Sequence, residues 1–171
     1  MKKIIVLAMV AGMFSSLTLS AQQDKSKRPS PPAVVKETLN SGATVTIDYS
    51  QPSVKGRTIG KEIAPLGKIW RTGANEPTTF EVSKAVKVDG KALPAGKYGM
   101  YSIPGEKEWV IIFGKKSNVS ADKHAEADDA LRIKVKPVKS AAFTEKMTFT
   151  IDKSGKVALV WGDIQVPFTV K

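Results

Sequence analysis

From residue 38 onward, short runs of alternating apolar and polar residues are separated by turn residues, the period-two pattern of antiparallel strands. The segment 44–49, TVTIDY, sends Val45, Ile47 and Tyr49 to one face. Further strands are predicted at 78–83, 85–88, 97–103, 108–113, 131–136, 146–152, 156–161 and 164–170, about nine in all. EWVIIF at 108–113 is nearly continuously apolar and reads as a strand buried on both faces. Asp89-Gly90 is a favoured hairpin turn, and 153–155 and Gly162-Asp163 are short enough for two more. Pro167 cannot donate a ladder hydrogen bond, so the last strand is expected at an edge or with a bulge. One short surface helix is predicted over 120–129, with Ser120 as its cap and only alanines on its apolar face. Together these elements predict an all-β fold, an antiparallel β-sandwich or open barrel.

The chain before residue 38 has a different texture. Lys2 and Lys3, an apolar run over 4–19 and small residues at Ser20 and Ala21 predict a secretory signal peptide over 1–21. The run is interrupted by Ser15, Ser16 and Thr18, and is short for a membrane span. Residues 22–37 are polar, basic and proline-rich, and predict a disordered tail, leaving 38–171 as a single domain. The chain contains no cysteine, which excludes disulfides, thiolate zinc sites and a lipid anchor on an N-terminal cysteine. The expected product is periplasmic or secreted, with no transmembrane segment once the leader is removed.

Charge adds a preference for partners. The formal net charge is +11, and loss of Lys2 and Lys3 with the leader leaves about +9. Such a surface favours acidic glycans or phospholipid and lipopolysaccharide head groups, and it also keeps a β-rich protein soluble and protects its sheet edges. Nucleic acid is not an expected partner, because export separates the chain from it and the basic residues form no stripe interleaved with aromatics.

One connection breaks the rule of short turns. Residues 50–77 form a loop far longer than most, yet hold Trp70 and several aliphatic residues, so an ordered binding loop is expected. The chain has 23 lysines and four arginines, and Arg57 and Arg71 both fall in this loop. An arginine offers a planar, bidentate fork that lysine lacks. Arg57 and Arg71 would hold anionic or hydroxyl oxygens, Asn75 and Glu76 would fix orientation, and Trp70 would stack on a ligand or shape the floor. The alternative is a stiff corner, with Arg71 paired to Glu76, Asn75 at a left-handed turn position and Trp70 in the core.

Other chemistry has less support. His124 is the single histidine, and no GxSxG elbow accompanies it, which leaves a serine triad without its parts. His124 and Asp128 share one side of the predicted helix, but two ligands do not make a metal site. Glu62 and Glu76 are the carboxylate pair in the long loop that a glycosidase-like hydrolase would need. No cofactor motif is present.

Three strings carry a resemblance: YSQPSVKGRTIG with GKIWRTGANEPTTF, LPAGKYGMYSIPGEKEWVIIF, and ALRIKVKPV with the closing WGDIQVPFTV. The chain resembles an exported bacterial family, domain of unknown function 2911, over about 48–170. The resemblance implies an exported, all-β, single-domain protein and brings no catalytic assignment. The expected function is a non-catalytic binding module for a glycan or anionic envelope component, bound through loop 50–77. The rivals are an envelope interaction protein docking through its sheet edges and lysines, and a hydrolase acting through Glu62 and Glu76. Oligomeric state is not legible.

Overall fold

A computed structural model describes residues 24–171, and the expected leader and Gln22 lie outside the described residues. Ten strands form: β1 (Pro32–Thr38), β2 (Thr44–Ser50), β3 (Thr79–Val82), β4 (Val86–Val88), β5 (Lys91–Leu93), β6 (Gly96–Ile103), β7 (Trp109–Gly114), β8 (Asp129–Val135), β9 (Val138–Ile151) and β10 (Lys156–Thr169). All named pairings are antiparallel. One sheet has six strands in the order β1-β2-β3-β6-β7-β8, and the facing layer is the long β9–β10 ribbon. The β4–β5 hairpin joins that layer, because Lys87 and Lys171 exchange backbone hydrogen bonds and the Asp89 amide donates to the Thr169 carbonyl. The fold is an all-β sandwich.

Alternation builds the core as expected. Val45, Ile47 and Tyr49 of β2 face inward with Trp109, Ile111 and Phe113 of β7, against Met147 and Phe149 of β9 and Leu159 and Phe168 of β10. Phe80 and Phe113 meet edge to face at 4.8 Å, and Phe168 touches both rings. Tyr49 meets the Phe149 ring at 5.0 Å, and its hydroxyl accepts the Phe149 amide at 3.1 Å. Ile112 of β7 is also buried, on the opposite face, where residues 115–128 cover the sheet. The Asp89-Gly90 turn has φ of 45° and 82°, the paired positive values of a tight hairpin.

Four expectations need correction. The disordered tail over 22–37 is overturned in its second half: 32–38 is a strand in full register with β2, from Pro32 opposite Ser50 to Thr38 opposite Thr44. Its prolines stand at the strand start and before it, positions an edge strand accepts. No helix forms over 120–129. The segment makes two three-residue turns, Ala121–Lys123 and Glu126–Asp128, and Ser120 makes no side-chain cap, since an alanine face buries too little to hold a longer helix. Gly162-Asp163 is no hairpin turn: it sits inside the continuous β10, where the ladder with β9 shifts register between Val160 and Ile164. Finally, β9 begins eight residues before the predicted strand at 146. Pro167 lies beyond Gln165, the last residue paired with β9, just before the chain turns to β4.

Candidate functional site

The long loop is ordered because its backbone re-enters the sheets. Trp70 pairs with Ser102, each amide donating to the other's carbonyl at 2.7 and 2.9 Å, so Trp70 occupies the slot beside β6 that β3 leaves empty. Directly opposed residues share a face, so Trp70 points into the sandwich, where its ring stacks on buried Trp161 at 5.4 Å and 11°. Alternation then sends Arg71 to the outer face. There Lys68, Ile69, Trp70 and Arg71 line a groove of about 590 Å³ whose opposite wall is Ala121 and Asp122.

The turn after Arg71 is held in an unusual conformation. Thr72 is fully buried with φ of +54°, a region that β-branched residues rarely adopt and that costs about 1–3 kcal/mol. Its hydroxyl donates to Ser102 Oγ at 3.0 Å, and the Thr78 hydroxyl donates to its carbonyl at 3.0 Å. These bonds fix the backbone that aims Arg71.

The five expected ligand-binding residues are not brought together. Trp70 and Arg71 line the groove. Arg57 folds back on its own turn, donating Nη2 to the Ser53 carbonyl at 2.7 Å and Nε to the Val54 carbonyl at 3.2 Å. Asn75 takes the left-handed turn position, φ +55°, and its amide donates to the Ser30 carbonyl at 2.8 Å. Glu76 pairs with Arg28 at 2.8 Å and Lys25 at 3.3 Å, so it joins the N-terminal segment to the loop. The expected Arg71–Glu76 pairing of the stiff-corner reading is also replaced: Arg71 Nη1 donates to the Asn75 carbonyl. Among the described residues Arg71 forms no ion pair within 4 Å, so most of its donor fork is available to the groove.

The carboxylate pair does not have the electrostatics of a general acid. The Arg28 guanidinium, with the Glu76 amide and Lys25, holds the Glu76 carboxyl down at about 2. Glu62 is lowered by its own amide and by the Thr58 amide, which donates to it at 2.9 Å. A glycosidase acid needs the opposite shift.

The groove's far wall rests on a cluster that the linear pattern concealed. His124 does not share a helix face with Asp128. Its side chain is 2% exposed, stacks on Tyr101 at 4.4 Å, and sets Nε2 2.6 Å from Asp129 Oδ1. Arg132 Nε donates to the other Asp129 oxygen, and the Tyr101 hydroxyl donates to the Val119 carbonyl at 2.7 Å. Asp129 and Arg132, three apart on a strand, would ordinarily face opposite ways. A register shift corrects this: Phe113 opposes Leu131 but Gly114 opposes Asp129, so one extra residue turns Asp129 to Arg132's side. The lone histidine was the one sequence signal for this cluster, and the bulge that completes it has none. Asp122 on the wall is lowered by the Ser120 hydroxyl first, with a smaller contribution from Arg71 across the groove.

Among the described residues no helix is long and apolar enough to cross a membrane. No curated protein and no solved structure gives a significant match to the chain. A family match does exist, and it spans nearly all of the described sandwich, from the start of the edge strand β1 to the final pairing of Val170 with Val88. Over residues 30–170 the chain belongs to the family described as "Protein of unknown function (DUF2911)".

Proposed function

We propose that the protein is an exported, non-catalytic binding module, periplasmic or secreted, that takes an acidic glycan or similar anionic envelope component in the Arg71 groove. The observation that carries the reading is a guanidinium with most of its fork uncommitted, set by a strained buried turn into an open groove between two ordered loops. Arg71 would clamp a carboxylate or a pair of hydroxyls, which its planar fork suits. Lys68 adds positive charge at one end, and Asp122 accepts from ligand hydroxyls on the facing wall. Trp70 supports the floor through its stack on Trp161. Arg57, Asn75 and Glu76 leave the ligand set and serve to shape the loop.

The test is calorimetric titration with acidic and neutral oligosaccharides, comparing the wild type with Arg71→Ala and Asp122→Asn. Binding of an acidic oligosaccharide that Arg71→Ala weakens at least tenfold, with the melting temperature unchanged, is the expected result. Binding that is equal in Arg71→Ala, or no binding to any member of the series, overturns the proposal.

A further inference from the structure

Between Val138 and Thr148, β9 carries five more residues than the stretch of β10 it faces. Two are inserted between Thr148 and Thr144, and three between Thr144 and Lys139. Such bulges throw residues out of the ladder. One residue of the bulged stretch is aromatic: Phe143 is 63% exposed. It does not stand alone. A Cβ on Gly162 would lie 3.1 Å from Ile59 and 3.8 Å from Phe143, so both side chains converge over that glycine. Leu66, 42% exposed, packs against Gly60, the neighbour of Ile59. The long loop and the β9 bulge thus present one apolar tip, in which Ile59 also packs against the core while Phe143 and Leu66 stand outside it.

The rim of this tip is basic. Ser53 bridges to Lys146, and the Lys55 amide donates to Glu145 Oε1 at 2.8 Å, which sets Lys55 and Lys146 beside the bulge. Arg57 and Lys61 flank Ile59 in the same turn. Among the described residues none of these four cations takes part in an ion pair within 4 Å, although Arg57 spends Nε and Nη2 on the Val54 and Ser53 carbonyls and offers only the rest of its fork. Of the carboxylates nearby, Glu62 and Glu145 accept from the backbone amides of Thr58 and Lys55, and exposed Asp163 follows Gly162 in β10. Exposed aromatic and aliphatic side chains ringed by unpaired cations match the chemistry of an anionic membrane surface: apolar groups enter the headgroup boundary and cations meet phosphates.

We propose that the tip formed by Phe143, Leu66 and Ile59, with Lys55, Arg57, Lys61 and Lys146 around it, docks the protein on an anionic phospholipid bilayer. This goes beyond the glycan reading and uses different residues. Docking is peripheral and reversible, since three side chains and four cations fall far short of a spanning anchor. Each cation contributes about fivefold to partitioning at low ionic strength, and insertion of Phe143 about tenfold or more.

The experiment is cosedimentation of the purified protein lacking residues 1–21, which keeps every described strand, with vesicles of phosphatidylglycerol and phosphatidylethanolamine or of phosphatidylcholine alone. Wild type is expected to sediment with the anionic vesicles and not with phosphatidylcholine, and to be released by salt. Phe143→Ser should reduce binding about tenfold, and Lys55→Glu with Lys61→Glu should abolish it, while circular dichroism and melting temperature stay at wild-type values. Arg71→Ala should bind vesicles as wild type does, which separates this proposal from the glycan reading. Absence of binding to anionic vesicles at low salt overturns it, as does binding that Phe143→Ser leaves unchanged. A Phe143-dependent dimer with no vesicle binding assigns the tip to a second copy of the chain, and also overturns it.

Discussion

If the groove floor is held by the stack between the loop and the ribbon, Trp70 and Trp161 must be energetically coupled. Trp161 is 1% exposed, so Trp161→Ala should cost about 3–5 kcal/mol. Trp70 is only partly buried and loses less apolar area, so Trp70→Ala should cost about 2 kcal/mol, lowering the melting temperature by about 4–8 °C in a domain of this size. The rings lie nearly parallel with centroids 5.4 Å apart, a geometry that contributes about 1 kcal/mol beyond area. The double variant should therefore be less unstable than the sum of the two singles by about that amount. Urea unfolding followed by far-ultraviolet circular dichroism measures all four corners of the cycle without relying on the fluorescence of the residues removed. A coupling below about 0.3 kcal/mol, the range expected of independent sites, refutes the claim that the stack ties the loop to the ribbon.

Glu76→Gln tests the link between the loop and the N-terminal segment. Because the folded Glu76 carboxyl lies at about 2 against an ordinary 4.5, its stabilisation is fully present above about pH 4.5 and is lost as pH falls towards 2. Its side chain is half exposed, so the difference from wild type at pH 7 should be no more than about 1 kcal/mol and should vanish near pH 2, as urea midpoints at several pH values will show. Gly155→Ala places a Cβ against the Val170 carbonyl oxygen at φ of +84°, and should cost about 3 kcal/mol in chemical denaturation by parting the end of β10 from its turn. His124→Ala removes a buried ring and its bond to Asp129, and should cost about 2–4 kcal/mol. Amide exchange over 115–128 should rise in that variant, and unchanged protection there would show that His124 does not hold the groove wall.

Strand identity was legible wherever the apolar period was clean. Val45, Ile47 and Tyr49 face inward as their alternation requires, and Tyr98 and Tyr101 part to opposite faces. Alternation also separates Trp70 from Arg71, but only once the register of Trp70 with Ser102 is known. The candidate site was legible in part. The scarcity of arginine drew notice to Arg57 and Arg71, yet only the latter stands in the groove, because a guanidinium near loop carbonyls satisfies itself locally when the turn allows. The groove's other wall comes from residues about fifty positions further along the chain, and Asp122 carries no local mark of that role.

By itself the sequence determined the all-β class, most of the strands and the inward face of those with a clean alternation, such as 44–49, since these follow from a period of two and from the chemistry of turn residues. The tertiary structure decided what depends on pairing. It made 32–38 an edge strand, because β2 had an open ladder to receive it. It kept Gly162-Asp163 inside β10, opposite the bulged part of β9, and not at a turn, because β9 continues past it. It turned Asp129 towards Arg132, exposed Phe143, and set Arg71 across from Asp122. Bulges and long-range registers arise from the competition of whole strands for partners, and no window of neighbouring residues contains that competition.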